Sequence, residues 1–93
     1  MDGFDFKSYE AEALAAGFDA VLERRWEPLA VLDEHSHPFD AKAIVVEGEM
    51  WLTEAGATRH LRPGDGFEIA AGVPHAERYG PVGAVYWVAR RQR

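Results

Sequence analysis

The chain has 93 residues, 47% of them apolar and 28% charged, which fits one ordinary globular domain with a packed core and leaves no room for a second module. Ten basic residues against 16 acidic ones give a formal charge of −6, and this excludes a general nucleic-acid binder, which needs lysine and arginine to neutralise phosphates. With no cysteine there is no disulfide, no thiolate nucleophile and no sulfur ligand, so any bound metal must sit on nitrogen and oxygen.

Near the N-terminus, Phe6, Tyr9, Ala13 and Leu14 recur at helical spacing and predict a short amphipathic helix over about 4–16. Asp5 is placed to cap its start and Gly17 to end it in a left-handed conformation, while Glu10 and Glu12 fall on the side expected to face solvent. From Phe18 onward, short apolar runs alternate with Gly, Pro and acidic residues, the pattern of many strands joined by tight turns. Strands are predicted over 21–26, 29–32, 43–47, 50–53, 58–61, 66–69, 75–79 and 84–89. Glycine at Glu47-Gly48-Glu49 and Ala55-Gly56-Ala57 supplies positive φ for turns, and Pro63-Gly64-Asp65-Gly66 makes a corner. So many short strands with regular turns predict an all-β jelly roll or closed barrel over about 18–90, with no internal repeat or linker.

Further along, Trp26, Trp51 and Trp87 are many tryptophans for so short a chain, and two of them are expected in the core. Trp51 stands between Met50 and Leu52, so its strand is expected to be covered on both faces, by the helix or by a dimer partner. His60 is expected at an exposed strand position, and Arg90-Arg91-Gln92-Arg93 as a solvated end. A small domain buries a limited share of its surface, which makes a homodimer the expected assembly. No basic segment followed by an apolar stretch opens the chain, and no run approaches the ~20 apolar residues of a membrane span; a cytoplasmic protein without membrane or nucleic-acid partners is the expectation.

Three of the four histidines fall in two motifs, His35-Ser36-His37-Pro38 and Gly72-Val73-Pro74-His75. Residues two apart project to one side of an extended strand, so His35 and His37 form a natural pair, with His75 brought in from a later strand. Neutral imidazole is the commonest metal ligand, and three such nitrogens with positions left open suit a catalytic site better than a closed structural one. The competing reading is a pair of surface histidines beside a proline and a third that satisfies a turn.

These motifs resemble those of the cupins, small double-stranded β-helix barrels. The first, in which H-x-H is followed by Glu and then Gly, is similar to His35-Ser36-His37-Pro38-Phe39-Asp40 leading into Ile44-Val45-Val46-Glu47-Gly48-Glu49. The second is similar to Arg62-Pro63-Gly64-Asp65-Gly66 followed by Ala70-Ala71-Gly72-Val73-Pro74-His75. The resemblance spans residues 35–79 and implies His35, His37 and His75 as ligands of a divalent metal, Fe, Mn, Ni, Cu or Zn, in a barrel that binds or acts on a small polar molecule. The chain departs from the pattern where the glutamate ligand is expected. Ala41 or Lys42 stands there, depending on the gap, and neither coordinates a cation. Leu29 replaces the glycine that often opens the first motif, and Tyr79 the asparagine that ends the second.

A set of three neutral histidines leaves a divalent ion its full charge and makes it a stronger Lewis acid, an outline similar to the three-histidine cupin dioxygenases. Asp40 or Glu77 is a candidate oxygen ligand, Glu77 the better one because it shares strand parity with His75; it is equally placed to orient a histidine by a hydrogen bond. Tyr79 lies on the same face as a candidate acid or hydrogen-bond donor, with a core aromatic as its alternative, and Phe39 is expected at the pocket wall. Three functions stay open: a metal-dependent oxygenase or isomerase-like enzyme, a ligand-binding or sensing cupin, and an interaction module that keeps only the fold.

Overall fold

The computed structural model describes residues 5–92; Phe4, the first residue of the expected helix, and Arg93 of the basic tail lie outside them. Helix α1 covers Phe6–Ala15, and the side chain of its N-cap Asp5 accepts a 2.8 Å hydrogen bond from the Ser8 amide. Gly17, at φ +100°, ends it in the left-handed conformation expected from the sequence. The helix lies on the outer face of the barrel, where Phe6 meets Trp87 edge-on at 5.7 Å and the Tyr9 hydroxyl donates to the Lys42 carbonyl at 2.9 Å. Leu14, expected on the packed side, is 47% exposed, because the helix buries no residue fully and rests mainly on its aromatic side chains.

Six strands follow among the described residues: β1 Ala20–Trp26, β2 Val31–His35, β3 Phe39–Glu54, β4 Ala57–Leu61, β5 Gly66–Ile69 and β6 His75–Gln92. All pairings are antiparallel. β6 is central, taking β1, β2 and β3 as partners, while β3 also pairs β4 and β5. The result is the all-β jelly roll expected from the motifs.

The main correction is in strand number. The predicted strands 43–47 and 50–53 are one strand, β3, and the predicted strands 75–79 and 84–89 are one strand, β6. Gly48 does take positive φ, +72°, but it makes a bulge inside β3 rather than a turn. It pairs with Ala84 on β6, next to Gly83 at φ +76°, and a Cβ on Gly48 would run into the Gly83 carbonyl oxygen. The kinks reverse which residues face inward. On β3, Ala41, Ala43 and Val45 are buried in the core before the kink, and Met50 and Leu52 after it; on β6 the core switches from Tyr79 to Ala84, Tyr86 and Val88. Each long strand thereby serves two walls of the barrel.

Strand β2 starts at Val31 instead of residue 29: Leu29 is 70% exposed and at φ +60° in the turn before it. The Ala55-Gly56 hairpin and the Pro63-Gly64 corner form as expected, the latter closed by Asp65, whose amide donates to the Arg62 carbonyl and whose carboxylate accepts from the Arg62 amide. Trp87 is buried under α1, and Trp26 packs against the core. Within the chain Trp51 is covered by its own neighbours: the His60 ring stacks on it at 4.5 Å and the Arg78 guanidinium lies 4.5 Å from its centroid. Among the described residues no helix is long and apolar enough to cross a membrane.

Candidate metal centre

The centre is built where β2 ends against the start of β6. His35 and His75 are direct cross-strand partners, which brings their ring centroids to 4.3 Å. Glu77 follows His75 by two residues on β6 and so points to the same side; it is 6% exposed and His75 2%. The Glu77 Oε2 atom lies 3.5 Å from His35 Nε2 and 3.6 Å from His75 Nε2. One donor atom from each of His35, His75 and Glu77 falls within 4.8 Å of the others.

The histidines are aimed by their own backbone. Nδ1 of His35 bonds the Asp33 carbonyl at 2.8 Å, Nδ1 of His37 the Phe39 carbonyl at 3.1 Å, and Nδ1 of His75 the Val73 carbonyl at 2.9 Å. A carbonyl only accepts, so each Nδ1 carries the proton and each Nε2 keeps its lone pair, the state a metal ligand needs.

His37 departs from expectation. The strand ends at His35, and His37 sits in the loop before β3, so the two do not share a strand face. Its ring lies parallel to Phe39 at 4.2 Å, with its centroid 4.9 Å from that of His75 and 6.4 Å from that of His35. It lines the same cavity but stands outside the tight group formed by the other three residues. Burial pulls its pKa below the usual imidazole value and so favours the neutral ring, partly opposed by its hydrogen bond to the Phe39 carbonyl, which favours the protonated one. The loop is pinned to the second motif: the Gly72 amide donates to the His37 carbonyl at 2.8 Å, and the Ala71 amide to Asp40 Oδ1 at 2.9 Å. Asp40, which also pairs with Arg91 at 3.3 Å, is thus engaged in tying the two motifs together.

Tyr79 is placed behind Glu77 rather than against the cavity. It is 1% exposed, and its hydroxyl donates to Glu77 Oε1, which leaves Oε2 turned toward the histidines. Burial, followed by the charges of Tyr86 and Glu77, pushes its phenol far above the usual range, so it stays a donor at every physiological pH. Its geometry is that of a positioning residue, in place of the candidate acid expected from the sequence. Phe39 lines the cavity as expected, and so does Ala41, whose small side chain stands where the family pattern has glutamate.

The cavity itself measures about 130 Å³, well below the ~300–1,000 Å³ of drug-sized ligand pockets. Sequence reasoning missed part of its lining. Arg24 and Trp26 come from β1, Tyr86 and Arg90 from the far half of β6. Arg90, expected in a solvated tail, turns inward because the kink in β6 puts residues 86, 88 and 90 on the cavity side. Alternation along 86–88–90 was the available signal.

Comparison with known proteins agrees with this architecture. The family model described as Cupin domain matches residues 23–80. No curated protein matches the chain. Among solved structures, KdgF from Halomonas sp. is similar at 25% identity and TM-score 0.67, over 78% of this chain and 68% of that one. An RmlC-like cupin from Shewanella frigidimarina NCIMB 400 is similar at 23% identity and TM-score 0.70, over 78% and 65%. DMSP lyase DddQ from Ruegeria pomeroyi DSS-3 is similar at 26% identity and TM-score 0.66, over 76% of this chain but only 36% of that protein. The matched span 23–80 is more than half of the chain and contains both histidine motifs, whose residues meet at one end of the barrel; the chain belongs to the cupin family.

Proposed function

We propose that this cupin binds one divalent metal ion through His35, His75 and Glu77, with His37 as a further donor from the cavity lining, and that the ion and cavity together bind a small polar molecule. The observation that carries this reading is the disposition of Nε2 in His35 and His75, both with Nδ1 occupied by a carbonyl and both facing one buried carboxylate oxygen. A nitrogen and oxygen donor set of this kind suits Fe, Mn, Ni, Cu or Zn. Glu77 supplies from β6 the carboxylate that Ala41 does not supply from β3.

When bound, such an ion supplies Lewis acidity toward an oxygen of the ligand. The chain's own residues do the rest. Tyr79 fixes the Glu77 carboxylate, while Phe39 and Trp26 wall the cavity and limit what enters. Turnover of an oxygenase or isomerase type is the catalytic form of this reading, and binding without turnover its simpler form. The Ruegeria pomeroyi neighbour is a DMSP lyase by name, so a barrel of this shape carries chemistry in at least one protein.

The test is elemental analysis after reconstitution with Fe(II), Mn(II), Ni(II), Cu(II) or Zn(II) and exhaustive dialysis. About one ion per chain, lost in His75→Ala with circular dichroism unchanged, is the expected result. An unchanged ion content in the variant refutes the assignment.

A further inference from the structure

We propose that the ligand of this cavity carries a carboxylate, received by the Arg24 guanidinium and the Tyr86 hydroxyl on the wall made by β1 and β6. This rests on the ligand-binding reading above and deepens it by naming the ligand class, but neither group is a metal donor.

The strand register brings the two groups together. Arg24 and Tyr86 are direct cross-strand partners, and both line the cavity that holds His35, His75 and Glu77. Such partners share a face of the sheet and stand ~4.5–5.5 Å apart at Cβ. Trp26, two residues beyond Arg24 on β1, shares that face and also lines the cavity. Its indole is the common neighbour: the Arg24 guanidinium lies over the ring, 4.8 Å from the centroid, and Nε1 approaches the Tyr86 hydroxyl.

Both groups keep hydrogen-bonding capacity that the chain leaves unspent. Arg24 makes no ion pair among the described residues, and a guanidinium cannot shed its charge by losing a proton. At Tyr86, burial and the charge of Glu77 raise the pKa, against the opposing approach of Trp26, Tyr79 and Arg24, so the phenol stays a donor. Glu77 is already engaged, with Oε1 accepting from Tyr79 and Oε2 turned toward the histidines. Trp26 Nε1 supplies a separate observation: it is buried without a hydrogen-bond partner, because its approach to Tyr86 lacks the required geometry. Native structures leave few buried donors unsatisfied. A hydroxyl both donates and accepts, so a ligand oxygen that takes the Tyr86 proton leaves the phenol oxygen to accept from the indole.

A carboxylate suits this pair because one oxygen accepts from the guanidinium and the other from the phenol. Its charge is matched by Arg24 and its planar shape by the guanidinium edge. The donors are also held before binding, Arg24 on Trp26, Trp26 on Tyr79 with centroids 5.2 Å apart, and Tyr86 edge-on to Phe67 at 5.4 Å, so little entropy is lost when a ligand arrives. A volume of about 130 Å³ restricts the ligand to a short-chain acid.

The test titrates ¹⁵N-labelled protein, metal-free and zinc-loaded, with propionate, using propionamide as neutral control and inorganic phosphate as the alternative anion. The Arg24 Nε–H and the Trp26 indole N–H are followed, each identified by its absence in Arg24→Gln or Trp26→Phe. Saturable shifts of both resonances with propionate in the metal-free protein, weak or absent with propionamide and phosphate, are expected. Arg24→Gln and Tyr86→Phe should each weaken propionate binding roughly tenfold, with zinc content unchanged. Because Phe keeps the ring packed on Phe67, the second variant guards against a folding defect in the first. Absent shifts, equal response to propionamide, tighter binding of phosphate, or wild-type affinity in either variant each overturn the proposal. Shifts without zinc uptake would leave the carboxylate site standing and sink the metal reading; zinc uptake without shifts would do the reverse.

Discussion

Among the described residues histidine meets glutamate in two places, inside the barrel and outside it. Outside, His60 Nε2 lies 2.9 Å from Glu49 Oε2, with the two side chains 34% and 33% exposed. Inside, His75 Nε2 lies 3.6 Å from Glu77 Oε2, with side chains 1% and 6% exposed. By distance alone the outer pair is the better interaction. Water screens it, however, and exposed pairs of this kind are worth only ~0–1 kcal/mol. The inner pair is longer because a second imidazole, His35, converges on the same oxygen at 3.5 Å, and a space between three donors is what an ion requires. The tautomer differs in origin too: Nδ1 of His75 is fixed by the Val73 carbonyl, whereas the His60 ring is placed by stacking on Trp51. A site is thus distinguished from a surface pair by burial, convergence and a fixed lone pair, not by closeness.

Substitutions sharpen this contrast. The largest effect is expected from His75→Ala, which should take zinc content from about one per chain to none; retention of the ion would erase the distinction between the pairs. Glu77→Gln keeps the shape but removes the charge of a ligand, and should weaken zinc binding by at least ~10–100-fold, the loss seen when even a supporting carboxylate is removed from known metal sites, when read by competition with a chelating dye. Tyr79→Phe leaves Glu77 Oε1 buried without its donor and should cost ~1–3 kcal/mol in urea unfolding. His60→Ala removes the outer pair and should change stability by under ~1 kcal/mol with no loss of zinc. An outer substitution that costs more than Tyr79→Phe would show that the burial argument ranks the two regions wrongly.

Much of the fold could be read from the sequence because its determinants are local. Asp5 and Gly17 bound the helix, Ala55-Gly56 and Pro63-Gly64 set turns, and alternation placed His75, Glu77 and Tyr79 on one face of β6. Gly48 was misread for a physical reason: positive φ serves a turn and a bulge equally, and the choice is made by Gly83 on the partner strand, far away in sequence. The same kink reverses strand parity, which hid the inward turn of Arg90. His35 and His37 were paired by a two-residue period that holds only within a strand, and the chain leaves β2 at His35. Glu77 was recognised as the replacement carboxylate by parity, but its approach to both His35 and His75 depends on the pairing of β2 with β6, which no local pattern states.

The most direct measurement is a long-range ¹H–¹⁵N spectrum of the imidazoles, recorded as one equivalent of Zn(II) is added. It reports every histidine in the same sample, so the inner and outer regions are compared without any substitution. The account predicts that Nε2 of His35 and His75 shifts in step with zinc while Nδ1 keeps its proton, and that His60 stays where it was. Movement of His60 ahead of the inner pair, or no change at His35 and His75, would contradict it.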